Sequence, residues 1–328
     1  MNINVEGTIE EEKKSTFFQN FFKKKESSIL IAFIVLCVFL SIASPYFLKI
    51  QNIFNVLRQI SVIAIMAVGE ALVIITAGID LSVGSILGLM GVLTSLFAGT
   101  GMNPILIFLL TIICGILVGS VNGFLVTKAR INPFIVTLGM LSIARGVSLL
   151  ITGGMPIHID NKINFIGDGY IGVVPFPVIV MFIIIILGHV FATRTLPGRN
   201  VYAVGNNDRA AKLSGIRVDA VKIMVFMIMG ALCAISGMII AGTLNSADPN
   251  SGQGLELDVI AAVILGGASL SGGEGTIIGV LIGAALMGVL NNAFVLLGVS
   301  AYIQIVAIGV VIITAVGIDS VKSARQNR

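Results

Sequence analysis

Two carboxylates stand in apolar sequence, where ionisable groups are expensive to hold. Glu70 lies inside one apolar run, and Asp80 follows in Gly78-Ile79-Asp80-Leu81-Ser82-Val83-Gly84-Ser85, at the start of the next. A carboxylate in such a run must face a polar cavity, pair with a cation, or carry a proton. Arg145, the one cation well inside an apolar run, is the candidate partner for Glu70. Gly78 and Gly84 loosen the helical pattern, and Ser82 can cap the helix that follows. Asp80 and Ser82 therefore read in two ways: as helix caps at a turn, or as groups that gate a path or touch a solute. Asn122, Asn291, Asn292 and Gln304 also sit in apolar runs. Neutral amides either bind helix to helix or offer donors and acceptors to a hydroxyl-rich solute.

Reactive constellations are otherwise missing. Cys37, Cys114 and Cys233 each stand alone in apolar sequence and read as small buried residues. His158 and His189 have no carboxylate, Cys or second His at ligand spacing, which argues against a metal site. No serine has triad partners, and there is no His-Glu-x-x-His or dinucleotide fingerprint. Leu270-Ser271-Gly272-Gly273-Glu274 is similar to the signature of ATP-binding cassette ATPases, but the phosphate-binding loop that must accompany it is absent. We read it as a Gly-Gly connection between two apolar runs. Residues 1–25 are too polar for a cleavable signal.

The elements that must position these groups are set by composition. Hydrophobic residues make up 56% of the chain, charged residues 11%, and mean hydropathy is +1.06. Soluble domains carry about 25% charged residues, so this is an all-α polytopic membrane protein. Its 38 glycines suit close helix contacts in lipid. A ruler of about 20 apolar residues per crossing predicts spans at 29–47, 60–77, 83–99, 104–127, 133–152, 175–193, 220–243, 257–270, 276–297 and 302–318. The eighth is short, about 21 Å long at about 1.5 Å per residue, and is tilted, re-entrant or shielded by neighbours.

Cations orient the spans. Residues 1–28 carry Lys13, Lys14, Lys23, Lys24 and Lys25, and residues 319–328 carry Lys322, Arg325 and Arg328. Lys128 and Arg130 follow the fourth span. The loop 194–222 holds Arg194, Arg199, Arg209, Lys212, Arg217 and Lys222. About ten crossings place all four clusters on one side, which the positive-inside rule makes cytoplasmic, with both termini inside. The net charge of +4 then needs no nucleic acid. A repeat is also visible: Gly119-Ser120-Val121-Asn122-Gly123-Phe124 resembles Gly288-Val289-Leu290-Asn291-Asn292-Ala293 at an offset of 169 residues. An odd number of intervening spans makes such a repeat inverted, an arrangement many transporters share.

Within 194–222, the stretch after Gly205, namely Asn206, Asn207, Asp208, Arg209, Ala210, Ala211, Lys212, Leu213, Ser214, Gly215, Ile216, reads as a short capped helix. Asn206, Asn207 or Asp208 is its candidate N-cap, and Gly215 follows its last turn. A small helix on the cytoplasmic face of a membrane protein offers a cytosolic partner something to grip.

Five segments carry a resemblance. They are 78–85, Asn122-Gly123-Phe124-Leu125-Val126, 131–139, 198–207 and 265–276. In this order they resemble membrane permeases of ribose-type sugar ABC importers, over residues 30–320. The resemblance implies a second copy of the permease, a cytosolic ATPase, and an extracytoplasmic sugar-binding protein. It further implies a permease domain over 29–318 in the cell membrane, with no enzymatic activity or cofactor of its own. ATP and Mg would be used by the partner ATPase. Arg209-Ala210-Ala211-Lys212-Leu213-Ser214-Gly215 is similar to the Glu-Ala-Ala-x-x-x-Gly segment by which importer permeases dock their ATPases, with Arg209 in place of Glu. The competing expectation is a proton-coupled secondary transporter of a small polar solute, with Glu70 or Asp80 titrating.

Overall fold

The computed structural model describes residues 25–326, so Lys13, Lys14, Lys23, Lys24 and Arg328 of the two basic tails fall outside it. Apart from connecting loops and four two-residue strands, the described chain is helical. Its long helices are α1 (Lys25–Ala43), α2 (Ile50–Ile75), α3 (Val83–Gly99), α4 (Pro104–Thr127), α5 (Pro133–Thr152), α7 (Phe176–Arg194), α10 (Val218–Leu244), α12 (Ile277–Leu296) and α13 (Ala301–Gln326). Shorter helices are α6 (Phe165–Asp168), α8 (Leu196–Asn206), α9 (Asp208–Leu213) and α11 (Leu255–Leu265). Among the described residues, six helices, α2, α4, α5, α7, α10 and α12, are long and apolar enough to cross a membrane.

Local sequence explains the helix starts. Asn103 and Asn132 each accept a hydrogen bond from the second helical N–H, and Pro104 and Pro133 occupy the first helical position. Thr276 caps α12 through Gly279 N. Gly153, at φ +60, closes α5.

Two expected boundaries move. α2 begins at Ile50, ten residues before the expected 60, because Gln51, Asn55 and Gln59 lie on one exposed face and need no burial. The expected span 257–270 is helical only from Leu255 to Leu265. Gly266 and Gly267 end it, Gly267 at φ +90, and the chain to Thr276 is a loop.

α2 is the central element, with 89% of its apolar window buried, against 22% for α4 and 28% for α5. The outer helices instead expose Ile42, Leu150 and Tyr302, a surface that suits lipid and not water. Adding 169 to the numbers of α2–α5 gives α10–α13, and the packing follows the same rule. α4 packs on α10 as α12 packs on α2, and α3 on α5 as α11 on α13. Even the close approaches correspond. A Cβ on Gly119 would lie 2.1 Å from Phe226 O, and one on Gly288 would lie 2.5 Å from the Ile60 side chain.

The connections α2–α3 and α10–α11 are counterparts in this repeat, and they meet. A Cβ on Gly84 would lie 2.2 Å from Gly252 O, and one on Gly252 would lie 2.3 Å from Gly84 O. The two backbones touch within one residue of positions that the repeat relates, Gly84 corresponding to Gln253 beside Gly252. Residues 153–175 form a cap of short pieces beside this bundle. Strand β1 (Ile157–His158) pairs antiparallel with β4 (Ser246–Ala247), and β2 (Tyr170–Ile171) pairs with β3 (Val174–Pro175).

Candidate functional site

The break between α2 and α3 is built from backbone bonds first. Thr76 closes α2, Ala77 takes a left-handed conformation at φ +59, and Gly78 N donates to Val73 O at 3.0 Å. This turns the chain back beside the last turns of α2 and brings Asp80 to Glu70. Glu70 Oε1 accepts from Asp80 N at 3.0 Å. Asp80 Oδ1 accepts from Ser82 N at 2.9 Å and from Ser82 Oγ, whose lone pair accepts from Asn122 Nδ2 at 3.1 Å. Glu70, Asp80, Ser82 and Asn122 thus form one chain tying α2, the break and α4, with none more than 1% exposed. Glu70 Oε2 and Asn122 Oδ1 have no hydrogen-bond partner among the described residues. Ser82 stands at the N-cap position of α3 but makes no side-chain cap; its hydroxyl is given to Asp80 instead.

Arg145 does not meet Glu70. Its Nη1 donates to Pro249 O and, at 2.9 Å, to Ser251 O, pinning the α10–α11 connection against α3 and α5. Glu256 and Asp248 are the acids near it. The reason is geometric: Arg145 faces the C-terminal break, and Glu70 the N-terminal one.

Asn291, the counterpart of Asn122, donates through Nδ2 to Asp258 Oδ2 at 3.0 Å. Each repeat asparagine therefore reaches to the start of its own broken helix. Asn292 exchanges hydrogen bonds with Asn52 at 2.9 and 3.1 Å, binding α12 to α2. Gln304 Nε2 donates to Val299 O, closing the start of α13. These two amides act as glue. Sequence reasoning missed Asp258, although the criterion applied to Glu70, an acid in an apolar run, applies to it equally.

On the other side of the bundle, Asn207 caps α9 by accepting from Arg209 N at 3.0 Å and Ala210 N at 2.9 Å. Gly215 follows at φ +83, and Gly215 N donates to Lys212 O. Ala211 is buried, whereas Leu213 is 90% exposed, an apolar knob on a polar face. Lys222 pairs with Asp208 at 2.6 Å and Lys128 with Asp219 at 2.6 Å. Both pairs are solvent-facing and add little. Losing a cap costs about 1 kcal/mol, and α9 has only six residues. Asn207→Ala is therefore expected to fray α9, checked by faster amide hydrogen exchange over residues 208–213.

α9 leads into a second, unpredicted contact. α8 lies against the end of α2, where a Cβ on Gly205 would sit 1.7 Å from Ile75 O. Gly273 N donates to that same Ile75 carbonyl at 2.9 Å, and Tyr202 Oη donates to Gly275 O at 2.9 Å. Burial pushes the Tyr202 phenol up from its ordinary pKa, so it stays a donor. The Leu270–Glu274 connection is thus the seat on which α8 rests, which gives that motif a structural role.

Several membrane-crossing helices, two facing broken elements and an internal repeat define a multi-pass membrane permease. The sequence model of the family "Branched-chain amino acid transport system / permease component" matches residues 52–316, and the chain belongs to that family. It is 44% identical over 298 residues to the ribose import permease protein RbsC of Escherichia coli K12, covering 89% of this chain and 93% of that one. It is 42% identical to RbsC of Bacillus subtilis 168, over 88% and 91% of the two chains. Identity to the D-allose transport system permease protein AlsC of Escherichia coli K12 is 38%, over 87% and 88%. No solved structure matches the chain.

Proposed function

We propose that this chain is the membrane-spanning permease subunit of an ATP-driven ABC importer for a monosaccharide, ribose or a related sugar. The observation that carries the reading is the 44% identity to a ribose import permease across nearly the whole of both chains. In this reading the chain crosses the cell membrane ten times with both ends in the cytoplasm. α2–α5 and α10–α13 are inverted repeats, and two copies of the chain frame the path. α9 and its neighbours dock a cytosolic ATPase, which alone hydrolyses ATP, and an extracytoplasmic sugar-binding protein delivers the substrate. α8 carries movement of α9 to Ile75 and so to the break that Glu70, Asp80, Ser82 and Asn122 hold. The permease itself binds no cofactor.

A proton-coupled reading draws on the buried acids Glu70 and Asp80, to which no cation is bonded among the described residues. Uptake by proteoliposomes holding permease, ATPase and binding protein separates the two. Import that needs internal ATP and survives collapse of the proton gradient is expected. Import that continues without ATP and stops with the gradient would overturn the proposal.

A further inference from the structure

The loop 194–222 carries cations that the chain itself leaves unused. Its two acids are bonded within the chain, Asp208 to Lys222 and Asp219 to Lys128. Lys212 and Arg130 also lie near Asp219, so three cations gather round one carboxylate. Arg194, Arg199, Arg209, Lys212 and Arg217 are all exposed, and none is bonded to a carboxylate among the described residues.

Helical spacing selects which of them meets a partner first. Ala211 marks the buried side of α9. At about 3.6 residues per turn, Arg209 and Leu213, each two places from Ala211, both point away from the bundle. Four residues apart, they stand side by side on that outer face. Arg209 gains nothing from its place. It is the second residue of α9, at the positive end of the helix dipole, where an anion is favoured and a cation is not. Next to Ser214 and Gly215 the surface drops into a hollow of about 420 Å³, walled by Leu196, Pro197, Ile216 and Met224, with Arg217 in its lining. An apolar knob and an apolar hollow thus lie along one short helix, each with a free cation beside it.

We propose that the partner surface receiving α9 is an acidic groove, with an apolar pocket for Leu213 and carboxylates at its rim for Arg209 and Arg217. The inference rests on the reading that α9 docks a cytosolic ATPase. It adds the charge that this ATPase must carry, and it makes Arg209 the residue that selects among ATPases, since a groove rimmed with cations would be repelled. Anionic lipid attracts cations too, but takes them singly from any flexible basic segment. Here Asn207 and Gly215 fix α9 before a partner arrives, which lowers the ordering cost of seating a helix in a groove.

The test uses the full-length permease in phosphatidylcholine nanodiscs and the ATPase subunit of the same transporter. Their Kd is read at about 0.1 M and about 1 M salt, where charges act over about 10 Å and about 3 Å. Binding is expected to weaken clearly between the two. At the lower salt Arg209→Glu is expected to weaken it at least about tenfold, because like charges then face each other. Arg209→Lys, which keeps the charge, should bind close to the unmodified chain, and all three should converge at the higher salt. Leu213→Ser is expected to weaken binding at both, since apolar burial is not screened. Binding indifferent to salt, or tightened by Arg209→Glu as a basic groove would require, overturns the inference. So do charge effects that arise only when phosphatidylglycerol is added, which would assign the cations to lipid. The two failures separate on the unmodified chain. ATPase bound without charge dependence sinks the acidic groove alone, and no ATPase bound at either salt sinks the docking reading beneath it.

Discussion

Gly205→Ala is expected to cut uptake at least about tenfold while the protein still inserts and still binds its cytosolic partner. The added methyl would sit 1.7 Å from Ile75 O and 2.6 Å from Gly273 N, and both obstacles are backbone. Overpacking a well-filled contact typically costs about 1–3 kcal/mol, and more where no side chain can swing away. α8 must therefore lift from the end of α2, and movement of α9 would no longer reach the break. The spans are untouched, so expression is expected to hold. Gly215 supplies the control inside the same loop. It is glycine for its φ of +83, with nothing within 4 Å of an added Cβ. Gly215→Ala then costs about 1 kcal/mol of backbone strain and leaves transport near normal, whereas Gly215→Pro cannot adopt that φ and should uncouple as strongly as Gly205→Ala. Normal uptake by Gly205→Ala, with ATP hydrolysis still stimulated by loaded binding protein, would remove α8 from the coupling path.

The two glycines also mark where sequence reading stops. A residue's need for left-handed backbone is local, so Asn207 and Gly215 announce a capped helix between them. A need for space depends on what arrives from elsewhere, and nothing near Gly205 names Ile75 or Gly273. The same division holds through the fold. The helices at α3, α4, α5 and α12 follow from apolar runs opened or closed by Asn-Pro, Thr and Gly. The start of α2 does not, because a hydropathy ruler stops at Arg58 while a helix with one wet face continues through it. The repeat was legible from four residues because helix contacts demand small residues at fixed places. Glu70, Asp80, Ser82 and Asn122 were each legible as costly groups in apolar sequence, and the structure brings them together. The pairing of Glu70 with Arg145 failed since charge alone does not say which of two facing breaks a side chain serves. Asp258 is legible by the same rule as Glu70, although it stands at the edge of its span.

Asp80→Leu is expected to be the most damaging single change in the core, and Asp80→Asn close to harmless. Asp80 Oδ1 is the acceptor for both Ser82 N and Ser82 Oγ, at a site 1% exposed. Leucine leaves those two donors buried and unpaired, each costing about 1–3 kcal/mol, and breaks the link to Asn122 as Ser82 Oγ turns to seek another acceptor. A total of several kcal/mol is a large share of the 5–15 kcal/mol that typically separates folded from unfolded protein, so the yield of monodisperse protein and its Tm in detergent should fall sharply. Asparagine keeps an oxygen where Oδ1 stands and so keeps both bonds. It also removes one formal charge from a core in which Glu70 lies one hydrogen bond away. Glu70→Gln is expected to behave alike, because the amide oxygen still accepts from Asp80 N. The two carboxyls do not bond each other, but both anchor the Asp80–Ser82 turn, Glu70 through Asp80 N and Asp80 through Ser82 N, so the double variant should depart from additivity. If the acids serve only to lock the break, both amide variants should import at near normal rates, with or without a proton gradient. Normal expression with abolished uptake in Asp80→Asn would show that the charge itself, and not the hydrogen-bonded lock, works in the transport cycle.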